Sequence, residues 1–181
     1  MTEQQTYDVV LLVEQPLSEG DARRVRSLHD AVEEPVRYHV VLPVEDAAAR
    51  VESAMGSLAT SEVLASPTVM LSDVNLEEVQ QEIVENARDA LTASVDRLAQ
   101  VGGNAVGTIV NMDPVDAVAA KAKELDAAEV IILTRPHVVA EFFHVDWSSR
   151  ARRRLGVPVL HLLEHETFDE QAGGGEGNTG M

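Results

Sequence analysis

The stretch that decides the fold runs from residue 111 to residue 134 and reads NMDPVDAVAAKAKELDAAEVIILT. Asp113-Pro114 predicts a helix start, because aspartate caps N–H groups and proline at the first helical position lacks only an N–H that has no partner there. Apolar residues follow at helical spacing as far as Leu125. The run Glu129–Thr134 is almost wholly apolar, which is typical of a strand covered on both faces. A buried strand before Asn111 completes a right-handed βαβ unit.

The rest of the chain repeats this alternation of strand and helix. The remaining strands are predicted at Tyr7–Val13, Val36–Val44, Ala105–Val110 and Val157–Leu163. A short amphipathic helix is predicted around Ala22, Val25 and Leu28, with Val32 as a candidate further position, and with Arg23, Arg24 and Arg26 facing outward. A long helix is predicted from Leu76 to Val101, capped by Asp73 and stopped by Gly102-Gly103. A last helix is predicted to open at Asp146 and to end at Gly156. This order predicts an open, doubly wound, mainly parallel α/β sheet of five strands.

Composition sets the domain organisation and excludes several classes of partner. Residues 1–166 are predicted to form one α/β domain with an irregular segment at 47–75. Residues 167–181 are predicted to be a disordered, acidic, glycine-rich tail. The net charge of −17 disfavours nucleic acid and anionic membranes. The chain has no cysteine, no run of transmembrane length and no signal-peptide pattern, so a cytoplasmic location is expected.

Three features together resemble the universal stress protein family. They are the turn Met112-Asp113-Pro114 followed by a helix, the sequence LDAAEVIILT leading into a buried strand, and a closing helix that runs into Val157-Pro158-Val159-Leu160. The acidic Glu14 at the end of the first strand also fits. The resemblance implies spatial strand order 3-2-1-4-5, a Rossmann-like fold and a homodimer joined near the last strand.

The better-known branch of that family binds ATP through a glycine-rich loop after the fourth strand, and here this chain departs. Its loop from Thr134 to Trp147 contains no glycine. Phe142, Phe143 and His144 stand where backbone N–H groups would otherwise approach phosphates. Met112 replaces a customary glycine, and Glu14 replaces a shorter aspartate. The usual mode of ATP binding is therefore expected to be lost or altered.

The crevice outside the carboxyl ends of the strands is the expected ligand site of such a sheet. The candidate cofactor-binding residues there are Val13, Glu14, Asn111, Met112, Asp113, Thr134, Arg135, Ser148 and Ser149. Ser148 or Ser149 could bind an anion with Arg135 and His137, although capping the last helix is the commoner role of such a serine. The run Arg150–Arg154 is interpreted as a solvated helix face, with contact to an acidic second subunit as the alternative.

No catalytic or metal-binding pattern stands out. His161 and His165 would lie roughly 13 Å apart along a strand, too far to share a metal. His137, His144 and Asp146 share a loop but match no ligand spacing, and the histidines are interpreted as structural. No nucleophile elbow or phosphate-binding glycine motif is present.

Three hypotheses for function follow. The first is a non-catalytic, universal stress protein-like regulatory or stress-response protein without a resident cofactor. The second is a binder of adenine nucleotide (ATP or AMP) or another small anionic ligand, using Glu14, Met112, Arg135 and Ser148. The third, a phosphate-ester hydrolase or transferase, rests on fold analogy alone.

Overall fold

The computed structural model describes residues 6–44, 76–134 and 155–163. In chain order its elements are β1 (Tyr7–Val13), α1 (Glu19–Ser27), β2 (Val36–Pro43), α2 (Leu76–Gln100), β3 (Asn104–Val110), α3 (Pro114–Leu125), β4 (Glu129–Thr134) and β5 (Val159–Leu163). The five predicted strands are confirmed, each to within two residues at either end. The predictions for Asp73, for segment 47–75, for the start of the last helix and for the tail lie outside the described residues.

All five strands are parallel and lie in the order β3-β2-β1-β4-β5. The strand order implied by the family resemblance is therefore confirmed. β1 is central, pairing with β2 from Tyr7↔Val36 onward and with β4 as far as Val13↔Leu133. Strand order reverses between β1 and β4, which places the ligand crevice expected of this topology at their carboxyl ends.

The core consists of two apolar layers, one on each face of the sheet. Alternate strand residues point to opposite faces, so the continuous apolar runs of β1, β2 and β4 supply both layers. One layer lies under α1 and α2 and includes Val9, Leu11, Tyr38, Ile131 and Leu133, all fully buried. The other lies under α3 and includes Val10, Leu12, Val41, Val130 and Ile132, which are at most 5% exposed.

The ends of α2 and α3 follow from local sequence. α2 ends at Gln100, and Gly102 takes φ +80°, a left-handed conformation that glycine adopts without strain. The Gly103 N–H then donates to the Leu98 carbonyl at 2.8 Å, which confirms the predicted glycine stop. α3 ends in the same way at Asp126, a left-handed non-glycine residue with φ 51°. None of the helices in the described part is both long and apolar enough to span a membrane.

Two sequence-based expectations about exposure were wrong. Arg24 does not face outward: it is 9% exposed, and its Nη1 donates to the Leu163 carbonyl at 2.8 Å. Burying its stem while satisfying the last carbonyl of β5 makes this position favourable for an arginine. β3 is not buried on both faces, because it is an edge strand and Val106 is 47% exposed. Val32 lies beyond the end of α1.

Candidate functional site at the carboxyl edge of the sheet

The carboxyl ends of the five parallel strands lie along one edge, which we call the carboxyl edge. Val13 pairs with Leu133, and Thr134 extends β4 by one residue beside Leu163. The Val13 side chain is fully buried in the core, so only its backbone can reach a ligand. Glu14 follows directly and is half-buried. The structure therefore brings the backbone of Val13 and Thr134 together with Glu14 at the reversal of strand order.

The β3–α3 turn supplies three more of the predicted site residues. Asn111, Met112 and Asp113 are all exposed, with Met112 at 57%. They lie along the same edge as Glu14, but β2 stands between β3 and β1. Two strand spacings amount to about 10 Å, so the turn and Glu14 would contact opposite ends of a small ligand.

The end of β2 lies between Glu14 and the β3–α3 turn, and it was not among the site residues predicted from the sequence. Pro43 is the last residue of β2, and the Val44 N–H donates to the Val110 carbonyl at 2.9 Å. Both residues are half-buried at the edge between Glu14 and Asn111. The strand order implied by the resemblance was the signal that could have identified them, because it places β2 between β1 and β3.

The N-terminus of α3 is closed by its own cap. Asp113 Oδ1 accepts from the Val115 N–H at 2.9 Å and from the Asp116 N–H at 3.1 Å. Proline at position 114 removes another N–H from this turn. The donors that a phosphate would use at a helix N-terminus are thus already occupied by a carboxylate. The predicted cap is confirmed, and it makes these two N–H groups unavailable to an anion.

The N-terminus of α1 is closed in the same way. Ser18 Oγ accepts from the Asp21 N–H at 3.0 Å and donates to Asp21 Oδ2 at 2.5 Å. Glu19 adds a second acidic side chain to this first turn. Carboxylates here are stabilised by the positive end of the helix dipole. Two of the described helices that begin at the carboxyl edge, α1 and α3, therefore present negative charge to the crevice.

The connection from β1 to α1 is held from beneath by α2. The Leu17 N–H donates to Ser94 Oγ at 3.0 Å, and the Leu17 carbonyl accepts from Arg97. Ser94 is fully buried, and its hydroxyl donates to the Ala90 carbonyl at 2.8 Å. The loop that follows Glu14 is consequently fixed in position by a buried hydrogen-bond chain. A serine on the apolar stripe of α2 was the sequence signal for this contact.

Three predicted site residues, Arg135, Ser148 and Ser149, lie outside the described residues, as does His137. His161 is described: it lies on β5 in register with Ile132, and burial lowers its pKa. Among residues 6–44, 76–134 and 155–163, no three histidine or carboxylate side chains converge as metal ligands would.

Two histidine–carboxylate pairs lie at the opposite end of the sheet, which we call the amino edge. His29 Nε2 is 2.5 Å from Glu129 Oε1, and His39 Nε2 is 2.6 Å from Asp8 Oδ1. The histidine side chains are only 2% and 8% exposed. Tyr38 contacts His29, and burial is the main reason that its pKa is raised to about 12. Sequence reasoning missed these pairs because their partners are 100 and 31 residues apart.

Comparison with known proteins places this geometry in a known fold. The sequence matches no protein-family model and no curated protein. Its structure is similar to that of a universal stress protein from Archaeoglobus fulgidus, with 14% identity, coverage of 85% of this chain and 91% of that chain, and a TM-score of 0.52. A universal stress protein family protein from Arabidopsis thaliana, solved with AMP bound, shares 13% identity over 90% of this chain and 94% of that chain, with a TM-score of 0.53.

A third similar structure comes from a universal stress protein family member of Burkholderia pseudomallei. It shares 16% identity over 86% of this chain and 96% of that chain, with a TM-score of 0.50. The alignments cover nearly the full length of all three proteins, and the strand order of this chain is the one that the resemblance to their family implies. The chain therefore has the Rossmann-like α/β fold of the universal stress proteins.

Proposed function

We propose that this chain is a non-catalytic regulatory or stress-response protein that does not hold ATP in the way of the better-known universal stress proteins. One observation carries the proposal. Two described helix N-termini at the carboxyl edge, those of α1 and α3, are capped by side chains next to them, Ser18 with Asp21 and Asp113 on its own. A bound phosphate would have to displace these caps, each of which stabilises its helix by about 1 kcal/mol.

Electrostatic repulsion also disfavours a bound phosphate at this edge. The acidic side chains along the described part of the edge are Glu14, Glu19, Asp21, Asp113 and Asp116. Two like charges 4 Å apart near a protein surface repel by about 4 kcal/mol, and at physiological salt this repulsion is largely screened beyond about 8 Å. A triphosphate is penalised most, since it carries the greatest negative charge. The sequence from 134 to 147 contains no glycine, the residue that most readily lets backbone N–H groups approach a phosphate.

Thermal unfolding with nucleotides tests the proposal. A ligand that binds only the native state at 100 times its Kd stabilises it by about 2.7 kcal/mol. This would raise the melting temperature of a domain of this size by several degrees. We expect no rise with millimolar Mg-ATP, relative to the same concentration of magnesium chloride. A rise of several degrees with Mg-ATP would contradict the proposal.

An adenine-nucleotide binder is the second candidate, supported by the AMP bound to the Arabidopsis fold relative. AMP carries less charge than ATP, so the acidic edge opposes it less. In this candidate the half-buried Glu14 and the exposed Met112 contact the nucleoside, and Arg135 and Ser148 are the candidate phosphate contacts. Titration calorimetry with AMP and adenosine distinguishes the two functions. If the protein binds AMP and Glu14→Gln weakens that binding, the second function is supported. If the protein binds neither AMP nor adenosine, the first is supported.

A homodimer joined at β5 remains a proposal as well. β5 (Val159–Leu163) is an edge strand that pairs with β4 on one side only within the described sheet. Its sequence VLHLL carries no formal charge, in contrast to the acidic chain as a whole. An apolar edge strand of this kind requires cover. Light scattering should give twice the chain mass of 19.6 kDa, and a strict monomer would contradict the proposal.

A further inference from the structure

The outer side of β3 is an open edge at the end of the sheet opposite β5. Among the described strands, β3 (Asn104–Val110) pairs with β2 alone, in an unbroken register from Arg37↔Asn104 to Pro43↔Val110. The strand contains no bulge, proline or charged residue, the features by which proteins commonly block such an edge. A dimer joined at β5 would leave it open, because β3 and β5 are the two ends of the described sheet.

One ladder contact fixes which backbone groups of β3 face outward. The Val110 carbonyl accepts from the Val44 N–H, so the N–H and C=O of Val110 point toward β2. Successive residues of a strand direct these groups to opposite sides. The alternate residues Ala105, Gly107 and Ile109 therefore direct theirs away from β2, where no described strand meets them. They present a row of donors and acceptors at the spacing of a β-ladder.

The two faces of β3 differ in how they are covered. On one face, α2 approaches so closely that a Cβ at Gly107 would lie 2.6 Å from Leu91 Cγ. On the other face, Val106 is 47% exposed and Thr108 is exposed, since α3 packs on β1, β2 and β4. Both side chains are β-branched, and such side chains pack well against those of a neighbouring strand. The uncovered face therefore suits a further strand beside β3.

The charge around this edge selects the kind of partner. The stretch 102–112 carries no charge, although the chain as a whole has a net charge of −17. The exposed charged side chains of α2 around Leu91 are three carboxylates and one guanidinium: Glu85, Asp89, Asp96 and Arg88. Beside the uncovered face, Arg37 lies in register with both Asn104 and Asp8, so the charge there is nearly balanced. Pairing β3 with β3 of a second copy would bring two acidic domains together, which like charge opposes. A segment with an uncharged centre and basic ends is attracted instead.

We propose that the outer side of β3 binds an extended segment of a partner protein, which adds to the sheet as a further strand. The segment has β-branched residues at alternate positions, next to Val106 and Thr108, and lysine or arginine at its ends. Its main chain hydrogen-bonds to Ala105, Gly107 and Ile109, so the backbone supplies affinity and the alternate side chains supply specificity. The site runs along the length of β3 rather than across the strand ends, so it does not depend on the function proposed for the carboxyl edge.

Amide hydrogen exchange of the full wild-type chain, measured by NMR with the synthetic peptide KKTVTVTKK, tests the proposal. At a peptide concentration ten times its Kd, the N–H groups of Ala105, Gly107 and Ile109 should exchange about tenfold more slowly. Those of Val106 and Thr108 already face β2 and are the internal references, which should change little. No change at millimolar peptide, or slower exchange at β5 instead, would overturn the proposal. Slower exchange that follows protein concentration without peptide would identify a second copy as the occupant and would also overturn it.

A proline variant tests the backbone contacts separately. Ala105→Pro removes one outward N–H but no ladder bond to β2, and proline is tolerated on an edge strand in this orientation. Titration calorimetry with KKTVTVTKK should show binding weakened by at least about fivefold, the equivalent of one backbone hydrogen bond. Ala105→Ser keeps the N–H and is the matched control, which should bind as the wild type does. Equal affinity of the wild type and a folded Ala105→Pro, checked by circular dichroism, would overturn the proposal.

The peptide EETVTVTEE tests the charge of the partner. It should bind about tenfold more weakly than KKTVTVTKK at low ionic strength, and the difference should shrink as added salt screens the charges. Equal affinities at low salt would overturn the assignment of a basic partner. None of these outcomes bears on nucleotide binding at the carboxyl edge, so the strand-addition site and the proposed function fail independently.

Discussion

The two edges of one sheet differ in what their polar groups do. At the carboxyl edge, Asp113 and Ser18 cap helices, and Asn111 and Met112 remain exposed. At the amino edge, His29 and His39 are buried against carboxylates. In this fold class the carboxyl edge is where ligands are expected. The comparison shows that the edge named by topology and the edge with buried titratable groups can be different places.

The largest expected loss of stability comes from replacing Glu129 at the amino edge. Glu129→Ala leaves the buried His29 ring without its carboxylate partner, and a buried polar group that loses its hydrogen-bond partner costs about 2 kcal/mol. Asn111→Ala at the carboxyl edge is the matched control, because it is exposed and should change the free energy of unfolding by less than about 0.5 kcal/mol. Urea unfolding at pH 6.5 measures both variants. Similar losses in the two would erase the proposed difference between the edges.

Tyr38, also at the amino edge, should make stability depend on pH in alkaline solution. Burial raises its pKa from 10.0 to about 12, against the opposing influence of Arg26. The folded state therefore holds a proton that the unfolded chain releases above pH 10, and stability is lost as pH rises towards 12. Between pH 9 and 11 the wild type should lose about 1 kcal/mol more than Tyr38→Phe. His161→Gln is the control and should follow the wild type over this range; parallel curves for wild type and Tyr38→Phe would refute the prediction.

Asp113 tests the carboxyl edge directly. Asp113→Ala removes the acceptor for two N–H groups of α3 and should destabilise the fold by about 1 kcal/mol. Asp113→Ser keeps a capping oxygen without the charge, so it should restore most of that loss. Chemical denaturation of the three proteins measures the effect. Equal stability of the alanine and serine variants would show that the cap contributes little.

The smallest effect is expected at His161 on β5. Burial lowers its pKa, so the unfolded chain binds a proton more readily than the folded one does. Stability should therefore fall as pH decreases through about 6.5. Melting temperatures at pH 7.5 and 5.5 should differ less in His161→Gln than in the wild type. An unchanged difference would mean that this ring binds a proton equally well in the folded and the unfolded state.

Local patterns were enough to predict most of the fold. Continuous apolar runs predicted β1 and β4, because a strand covered on both faces needs apolar residues at every position. Asp113-Pro114 and Gly102 predicted helix boundaries, since capping and left-handed backbone depend on a residue and its immediate neighbours. The strand order came with the family resemblance and was confirmed.

Contacts between distant segments could not be predicted in this way. Nothing in the neighbourhood of Arg24 indicates that it reaches the Leu163 carbonyl, and Ser94 supports Leu17 across 77 residues of chain. The exposure of β3 likewise follows from its place at the edge of the sheet. Of the candidate residues, Val13, Glu14 and Asn111 lie on the carboxyl edge, and their binding of a ligand stays a prediction. Pro43 and Val44 lie on the same edge and were not predicted from the sequence.

The amino-acid sequence by itself determined the α/β alternation, the helix caps and the acidic character of this protein, because periodicity, capping and charge are local or additive properties. Only the tertiary structure decided that His29 meets Glu129 and that the capped helix starts of α1 and α3 share one edge. These are pairings of remote residues, and their protonation and charge effects depend on distance and burial, which arise only when the strands are laid side by side.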